Sequence, residues 1–125
     1  MDSAAEFVSS FMSSLESEVR DIAPGEWGLV LDAAGYVLDV DVAVRGMVLR
    51  AEAAVLPPGL IEPHQLLYWN RQAPLVCFAE NKLGEVLVCG ELPVASLDSD
   101  TLDRFLGLLL TTATRAREFA IQNAS

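Results

Sequence analysis

The chain has 125 residues, of which 52% are hydrophobic, and a formal net charge of −10 from 18 acidic and 8 basic residues. This length is sufficient for one domain, residues 1–125, whose core needs no disulfide or metal. No apolar run is long enough to cross a bilayer, and the acidic N-terminus does not have the pattern of a secretory signal, so we expect a cytoplasmic protein with no membrane partner. The basic residues are scattered, which argues against direct nucleic-acid binding.

The N-terminal segment carries apolar residues at helical spacing. Phe7, Phe11 and Leu15 recur at every fourth position, and Val8, Met12, Val19 and Ile22 widen the same stripe. The pattern predicts an amphipathic helix over residues 4–22, which ends at Ala23-Pro24-Gly25. Five serines lower its intrinsic stability, so we expect this helix to depend on packing against the rest of the chain.

Three strands are predicted next, over residues 27–31, 36–43 and 47–55. The second alternates most clearly, with Leu38, Val40 and Val42 on one face and Asp39 and Asp41 on the other. Glycine-containing turns at residues 32–35 and 44–46 separate the strands. The expected arrangement is an antiparallel meander with one buried face and one largely solvated face.

A short helix over residues 62–69 begins near Pro63, and Asn70 is expected to end it in the left-handed conformation. Strands over residues 75–80 and 85–92 follow, joined by a three-residue loop after Asn81 that closes at Gly84. The last helix runs from about residue 100 to 121, capped by Asp98 or Ser99. The predicted class is α+β, an α-β-β-β-α-β-β-α sandwich of helices on an antiparallel sheet.

The sequence contains no recognisable active site. His64 is the only histidine and lies in the first turn of a short helix, where an exposed or structural role is expected. The aspartates at 32, 39 and 41 fit a turn and a solvated strand face better than a metal site. No phosphate-binding, dinucleotide-binding, nucleophile-elbow or paired-thiol motif is present. We therefore expect a protein that is not an enzyme and has no catalytic residue, metal site or cofactor.

Cys77 and Cys89 are the only cysteines. Counting outward from the loop pairs Asn81 with Glu85 and places Cys77 opposite Cys89 on one face of the hairpin. A bridge between directly opposed strand residues is strained, and the cytosol keeps thiols reduced. We expect two free thiols that behave as small apolar core residues.

Apolar residues occupy both faces of this hairpin and all sides of the short helix before it. A second internal layer would cover them, but a homodimer interface with aromatic anchors explains them better. The residues predicted for self-association or partner binding are Leu67, Trp69, Val76, Phe78 and Val88.

The order of elements resembles that of class I type III secretion chaperones and the related YbjN-like proteins. The resemblance extends over residues 7–119 and rests on three stretches and the second hairpin followed by Leu-Pro. The stretches are GLVLDAAGYVLDVDV, LLYWN and TLDRFLGLLLTTATRAREF. Low mass and acidic charge also fit. The Asn70-Arg71 pair is similar to one that follows this helix in YbjN-like proteins.

The resemblance implies a secretion-chaperone-like fold and a small homodimer whose interface uses the second helix and neighbouring strands. It also implies a non-enzymatic role, which is to hold a segment of a partner protein along apolar grooves or an open sheet edge. The alternative is a YbjN-type stress-response or regulatory scaffold that binds no unfolded segment. A small-ligand binder with a closed apolar pocket between helix and sheet is a third possibility.

Overall fold

The computed structural model describes residues 3–33 and 35–123. Three α-helices are α1 (Ser3–Ser13), α2 (Pro63–Asn70) and α3 (Ser99–Gln122), and a 3-10 turn spans Val94–Ser96. The strands are β1 (Glu18–Ala23), β2 (Glu26–Ala33), β3 (Tyr36–Arg45), β4 (Val48–Leu56), β5 (Val76–Glu80) and β6 (Val86–Pro93).

All six strands form one antiparallel sheet in the order β1-β2-β3-β4-β6-β5. Alternate strand residues turn towards the helices and are buried with them, including Leu29, Val40, Leu49 and Val88. Helix α3 packs across β2 to β6, so the core lies between this helix layer and one face of the sheet. The predicted α+β sandwich is confirmed, with one more strand than the sequence indicated.

The additional strand is β1, which occupies part of the predicted first helix. Helix α1 ends at Ser13 instead of Ile22, and residues 18–23 pair with β2. Two serine hydroxyls contribute to this end: Ser13 Oγ donates to the carbonyl of Ser9, and Ser14 Oγ donates to the carbonyl of Phe11. Such local side-chain bonds compete with the helical hydrogen-bond pattern. The prediction of a helix over residues 14–22 is therefore wrong.

The turn between β2 and β3 and the turn between β5 and β6 contain the expected glycines. Gly35 and Gly84 have φ angles of 82° and 81°. In the second turn, Asn81 N–H donates to the carbonyl of Glu85, and Gly84 N–H donates to that of Asn81, which gives the predicted three-residue loop. Ala34 of the first turn lies outside the described residues. Met47, the first residue of the predicted third strand, precedes β4 and is 82% exposed.

Helix α2 ends differently from the sequence prediction. Arg71, at the C-cap, has right-handed helical angles, and Asn70 does not have a positive φ. The Asn70 side chain instead bonds to the backbone of β5: its Oδ1 accepts from Phe78 N–H at 2.7 Å, and its Nδ2 donates to Phe78 C=O at 3.1 Å. One amide thus replaces the missing neighbouring strand at this position of the sheet edge.

Helix α3 begins as predicted, because the Asp98 carboxylate accepts from Thr101 N–H at 2.7 Å. Its buried stripe agrees with the periodicity and consists of Leu102, Phe105, Leu106, Leu109, Ala113, Ala116 and Ala120. Arg117 lies in the C-terminal part of α3, where a cation can interact with the helix dipole. Its guanidinium instead donates to the carbonyls of Val37 (2.7 Å) and Val55 (3.0 Å), and burial lowers its pKa. Arg117 therefore ties α3 to β3 and β4.

Candidate functional site

Helix α2 and the β5–β6 hairpin beside it contain the five residues predicted for an interface. Leu67 is 67% exposed. Val76, Phe78 and Val88 are at most 6% exposed, because they lie on the sheet face that packs against the helices. These three are core residues of the single chain and can support a surface only from beneath. Of the five, Leu67 is the one that is available to a partner.

Trp69 is partly buried and joins three elements. Its ring centroid lies 5.5 Å from that of Phe78 in β5 and 5.0 Å, edge to face, from that of Phe119 in α3. Such aromatic pairs add to the free energy gained from burial. Trp69 therefore fixes α2 against the core, and this position leaves Leu67 and the 54%-exposed Tyr68 facing outward.

A small groove of about 180 Å³ separates α2 from β5. Pro63, Leu67 and Ala79 line it together with Leu66, Asn70, Phe78 and Glu80. Its lining is mostly apolar, and Leu67 forms part of its rim. Helix α2 thus presents an apolar surface next to one edge of the sheet, which is where the sequence predicted self-association.

The sheet face opposite the helices has no covering layer in the described part of the chain. Strand register places one row of residues directly across all six strands: Arg20, Gly28, Asp41, Glu52, Cys89 and Cys77. Arg20 lies over Gly28, where a Cβ would come 2.4 Å from its guanidinium nitrogen, and donates to Asp39 at 2.9 Å. This hydrogen bond raises the pKa of Arg20. The β1 end of the face is therefore charged and closely packed.

The two cysteines lie on this uncovered face, so the prediction that they are core residues is wrong. The predicted register is correct, because Cys77 and Cys89 are direct cross-strand partners. Cys77 is exposed and Cys89 is half-buried, and their sulfur atoms are 3.7 Å apart as free thiols. Burial and the hydrogen bond with Cys77 raise the pKa of Cys89 to about 11. The sequence indicated their proximity but not which face they occupy.

Strand β1 is the other edge of the sheet, and sequence reasoning missed it entirely. In an antiparallel pair of strands, every second residue directs its backbone N–H and C=O groups to the partner strand. Val44 N–H donates to Gly25 C=O, so the backbone groups of Trp27 and Leu29 are also directed towards β3. The same alternation directs the backbone groups of Gly28 and Val30 towards their β1 partners Arg20 and Glu18. Those of Val19 and Asp21 point away from the sheet. This edge can therefore accept another strand.

An open groove of about 690 Å³ runs between this edge and α1. Its apolar lining includes Trp27, Val44 and Ile22, the last of which is 52% exposed. Glu6 and Asp21 also line this groove. The groove therefore provides apolar contacts and two negative charges directly beside unpaired strand backbone.

The residues that the structure describes contain no cluster of three or more histidine, cysteine, aspartate or glutamate side chains that could hold a metal ion. His64 is exposed in the first turn of α2. Asp39 and Asp41 lie on the solvated face of β3, as the alternation indicated. Among the described residues, no helix is both long and apolar enough to cross a membrane.

The chain has the fold of the type III secretion chaperones. It superposes on a chain of the HopA1–SchA chaperone–effector complex with a TM-score of 0.70 and 21% identity, over 94% of this chain and 98% of the other. The structure of the Yersinia pestis type III secretion chaperone SycH with a fragment of YscM2 gives a TM-score of 0.70 and 18% identity, over 90% of this chain and 98% of the other.

A chain of the ExsC–ExsE complex gives a TM-score of 0.67 and 20% identity, over 90% of this chain and 92% of the other. No family model and no curated protein sequence matches this chain. The predicted resemblance to secretion chaperones is thus confirmed for the fold, and the similarity extends over nearly the whole chain.

Proposed function

We propose that this protein is a non-enzymatic, chaperone-like binding protein that holds an extended segment of a partner protein. The observation that carries the proposal is the free edge of β1 beside the groove of Ile22, Trp27 and Val44. Similar folds solved in complex with partner proteins support it. The proposed location is the cytoplasm, as the sequence predicts.

The partner segment would add a strand next to β1. Its backbone would bond to the outward groups of Val19 and Asp21, and alternate side chains would enter the groove. Backbone bonding supplies affinity that does not depend on sequence, whereas the groove selects side chains. Because Glu6 and Asp21 lie on the groove, a segment that combines apolar residues with lysine or arginine fits best.

The proposed active form is a homodimer assembled through α2. Leu67 and Tyr68 are exposed beside the groove between α2 and β5, and aromatic and large apolar residues of this kind are typical of interface centres. Trp69, Val76, Phe78 and Val88 would hold this surface in place from beneath. The dimer thus leaves the β1 edge of each copy free for the partner.

Self-association is tested by replacing Leu67 with glutamate and measuring mass by light scattering. Leu67→Glu places a charge in the proposed interface and should give monomers at concentrations where the wild type is dimeric. Met47→Glu is the matched control, because Met47 is also exposed but lies in the turn between β3 and β4. A monomeric wild type, or two variants with equal effects, would refute the α2 interface.

Partner binding is tested at the β1 edge with Asp21→Pro and its control Asp21→Ala. The proline removes the outward N–H without removing a bond to β2, whereas the alanine removes only the carboxylate. A partner co-purified from the source cell is divided into overlapping peptides, and their affinities are measured by fluorescence anisotropy.

We expect one peptide to bind, with Asp21→Pro weakening it about tenfold or more and Asp21→Ala weakening it less. If the partner binds only as a folded domain and Asp21→Pro has no effect, the extended-segment proposal fails. That outcome would favour the alternative of a YbjN-type regulatory or stress-response scaffold. Amide exchange at Val19 and Asp21, slowed by a bound peptide, provides an independent measurement.

A further inference from the structure

We propose that Cys77 and Cys89 form a reactive dithiol site, at which Cys77 takes up a low-molecular-weight disulfide and Cys89 resolves it to an intramolecular disulfide. The site lies on the uncovered sheet face, away from the β1 edge, and the proposal does not depend on the proposed function. It rests on the register, the sulfur separation and the unequal exposure of the two thiols.

The geometry allows the two sulfurs to join. Alternation from the Asn81–Glu85 pair makes Cys77 and Cys89 a hydrogen-bonded pair, whose Cα atoms lie about 5.5 Å apart in antiparallel sheets. This separation falls within the usual range for disulfides. The sulfurs are already 3.7 Å apart, so side-chain adjustment can bring them together while β5 stays paired with β6, and the strain of a bridge between directly opposed residues makes it easier to reduce.

The surroundings assign different roles to the two thiols. Cys77 is exposed at a cleft of about 560 Å³, which gives a small disulfide access to its sulfur. Cys89 is half-buried, and its raised pKa keeps it protonated and unreactive as a first nucleophile. Arg50 lines the same cleft, and its charge favours the thiolate of Cys89.

The reaction has two balanced steps. The Cys77 thiolate attacks one sulfur of glutathione disulfide, and a mixed disulfide forms on Cys77 as one glutathione thiolate leaves. Cys89 then loses its proton and attacks Cys77 Sγ, which releases the second glutathione. Two protein thiols are oxidised, one glutathione disulfide is reduced to two thiols, and the two protons pass to the released glutathiones.

The first step prepares the second. Burial is the largest cause of the raised pKa of Cys89, and the hydrogen bond with Cys77 and the charge of the Cys77 thiolate raise it further. The two contributions of Cys77 disappear once it carries glutathione, whereas those of burial, Glu52 and Arg50 remain. The adjacent sulfur then needs no diffusional encounter, so ring closure follows adduct formation readily.

The test uses the folded full-length chain, glutathione disulfide as the probe, thiol counting and intact mass. The wild type should lose both thiols without keeping an adduct and should recover both with a reductant. Cys89→Ser should retain one glutathione on Cys77, because the resolving thiol is absent. Cys77→Ser should acquire glutathione on Cys89 at least tenfold more slowly than Cys89→Ser acquires it on Cys77, because Cys89 is half-buried. Thermal melts establish that both variants are folded.

Three results would overturn the proposal. The first is a folded wild type that keeps both thiols under conditions in which the urea-unfolded chain reacts. Oxidation could link two chains instead of closing within one, which a non-reducing gel detects. Finally, equal rates of adduct formation in Cys77→Ser and Cys89→Ser would contradict the assignment of Cys77 as the attacking thiol and Cys89 as the resolving thiol. Each result can be obtained without knowing any partner protein.

Discussion

The amide of Asn70 closes the β5 edge, and removing it is the sharpest test of how α2 is held. Asn70→Ala deletes two hydrogen bonds to Phe78 in a partly buried position. A typical intramolecular hydrogen bond contributes about 0.5–1.5 kcal/mol, so the two together contribute about 1–3 kcal/mol. Alanine recovers about 0.5 kcal/mol through its helix propensity. The expected net loss is therefore about 0.5–2.5 kcal/mol.

Urea unfolding at a fixed protein concentration measures this loss, and a drop in Tm of about 2–10 °C should accompany it. Gln72→Ala is the matched control. It removes an exposed contact with the Tyr68 hydroxyl at 3.4 Å and should change the free energy of unfolding by less than about 0.5 kcal/mol. Hydrogen exchange at the Phe78 amide should accelerate in Asn70→Ala alone.

A second substitution separates the two bonds. Asn70→Asp keeps the acceptor for Phe78 N–H but places a carboxylate oxygen against Phe78 C=O. The repulsion raises the pKa of the new carboxyl in the folded state, so the lost stability should return as the pH falls and the group becomes a donor. If Asn70→Ala is as stable as the wild type and Phe78 exchange is unchanged, the side chain does not hold the edge.

Two further predictions concern α3 and the residues it contacts. A Cβ at Gly90 would lie 2.7 Å from both Phe105 and the Leu75 carbonyl, so Gly90→Ala should lower the free energy of unfolding by about 1–3 kcal/mol. Gly107→Ala is the control: its Cβ meets no atom within 4 Å, and it should raise the free energy of unfolding by about 0.5–1 kcal/mol. Urea unfolding measures both changes. Unchanged stability in Gly90→Ala would contradict that packing. The hydrogen bond from Thr101 lowers the pKa of Asp98 below its usual 3.8, so this carboxylate stabilises the fold above that pH, and its contribution is lost as pH falls through the lower folded value. The difference in Tm between wild type and Asp98→Ala should therefore narrow in acid, and a constant difference would contradict the cap.

Most of the fold could be predicted because the hydrophobic periodicity of its helices and strands is clear. Strand β1, which the sequence did not predict, shows the limit of that periodicity. β1 contains Val19 and Ile22, which continue the helical spacing of Phe7 and Phe11. A short, polar edge strand has no alternating pattern of its own, since most of its residues are exposed. Only pairing with β2, a contact distant in sequence, distinguishes it from a continuation of the helix.

The candidate site was predicted less completely for a similar reason. The sequence showed that both faces of the β5–β6 hairpin are apolar but not which face α3 covers. Val76, Phe78 and Val88 lie on the covered face, while the cysteines lie on the other. Exposure of Leu67 depends on the rotation of α2, which Trp69 sets through its contacts with β5 and α3. These are tertiary relationships that single-chain periodicity does not contain.

The unequal edges of the sheet also limit how large an assembly can become. A sheet with two free edges can gain a strand on either side of every copy, which is the route to fibrils. Here the Asn70 amide and α2 occupy one edge, and β1 leaves the other free. Copies of this chain can therefore pair through β1 only once, and a partner segment bound there would occupy the edge that such pairing needs.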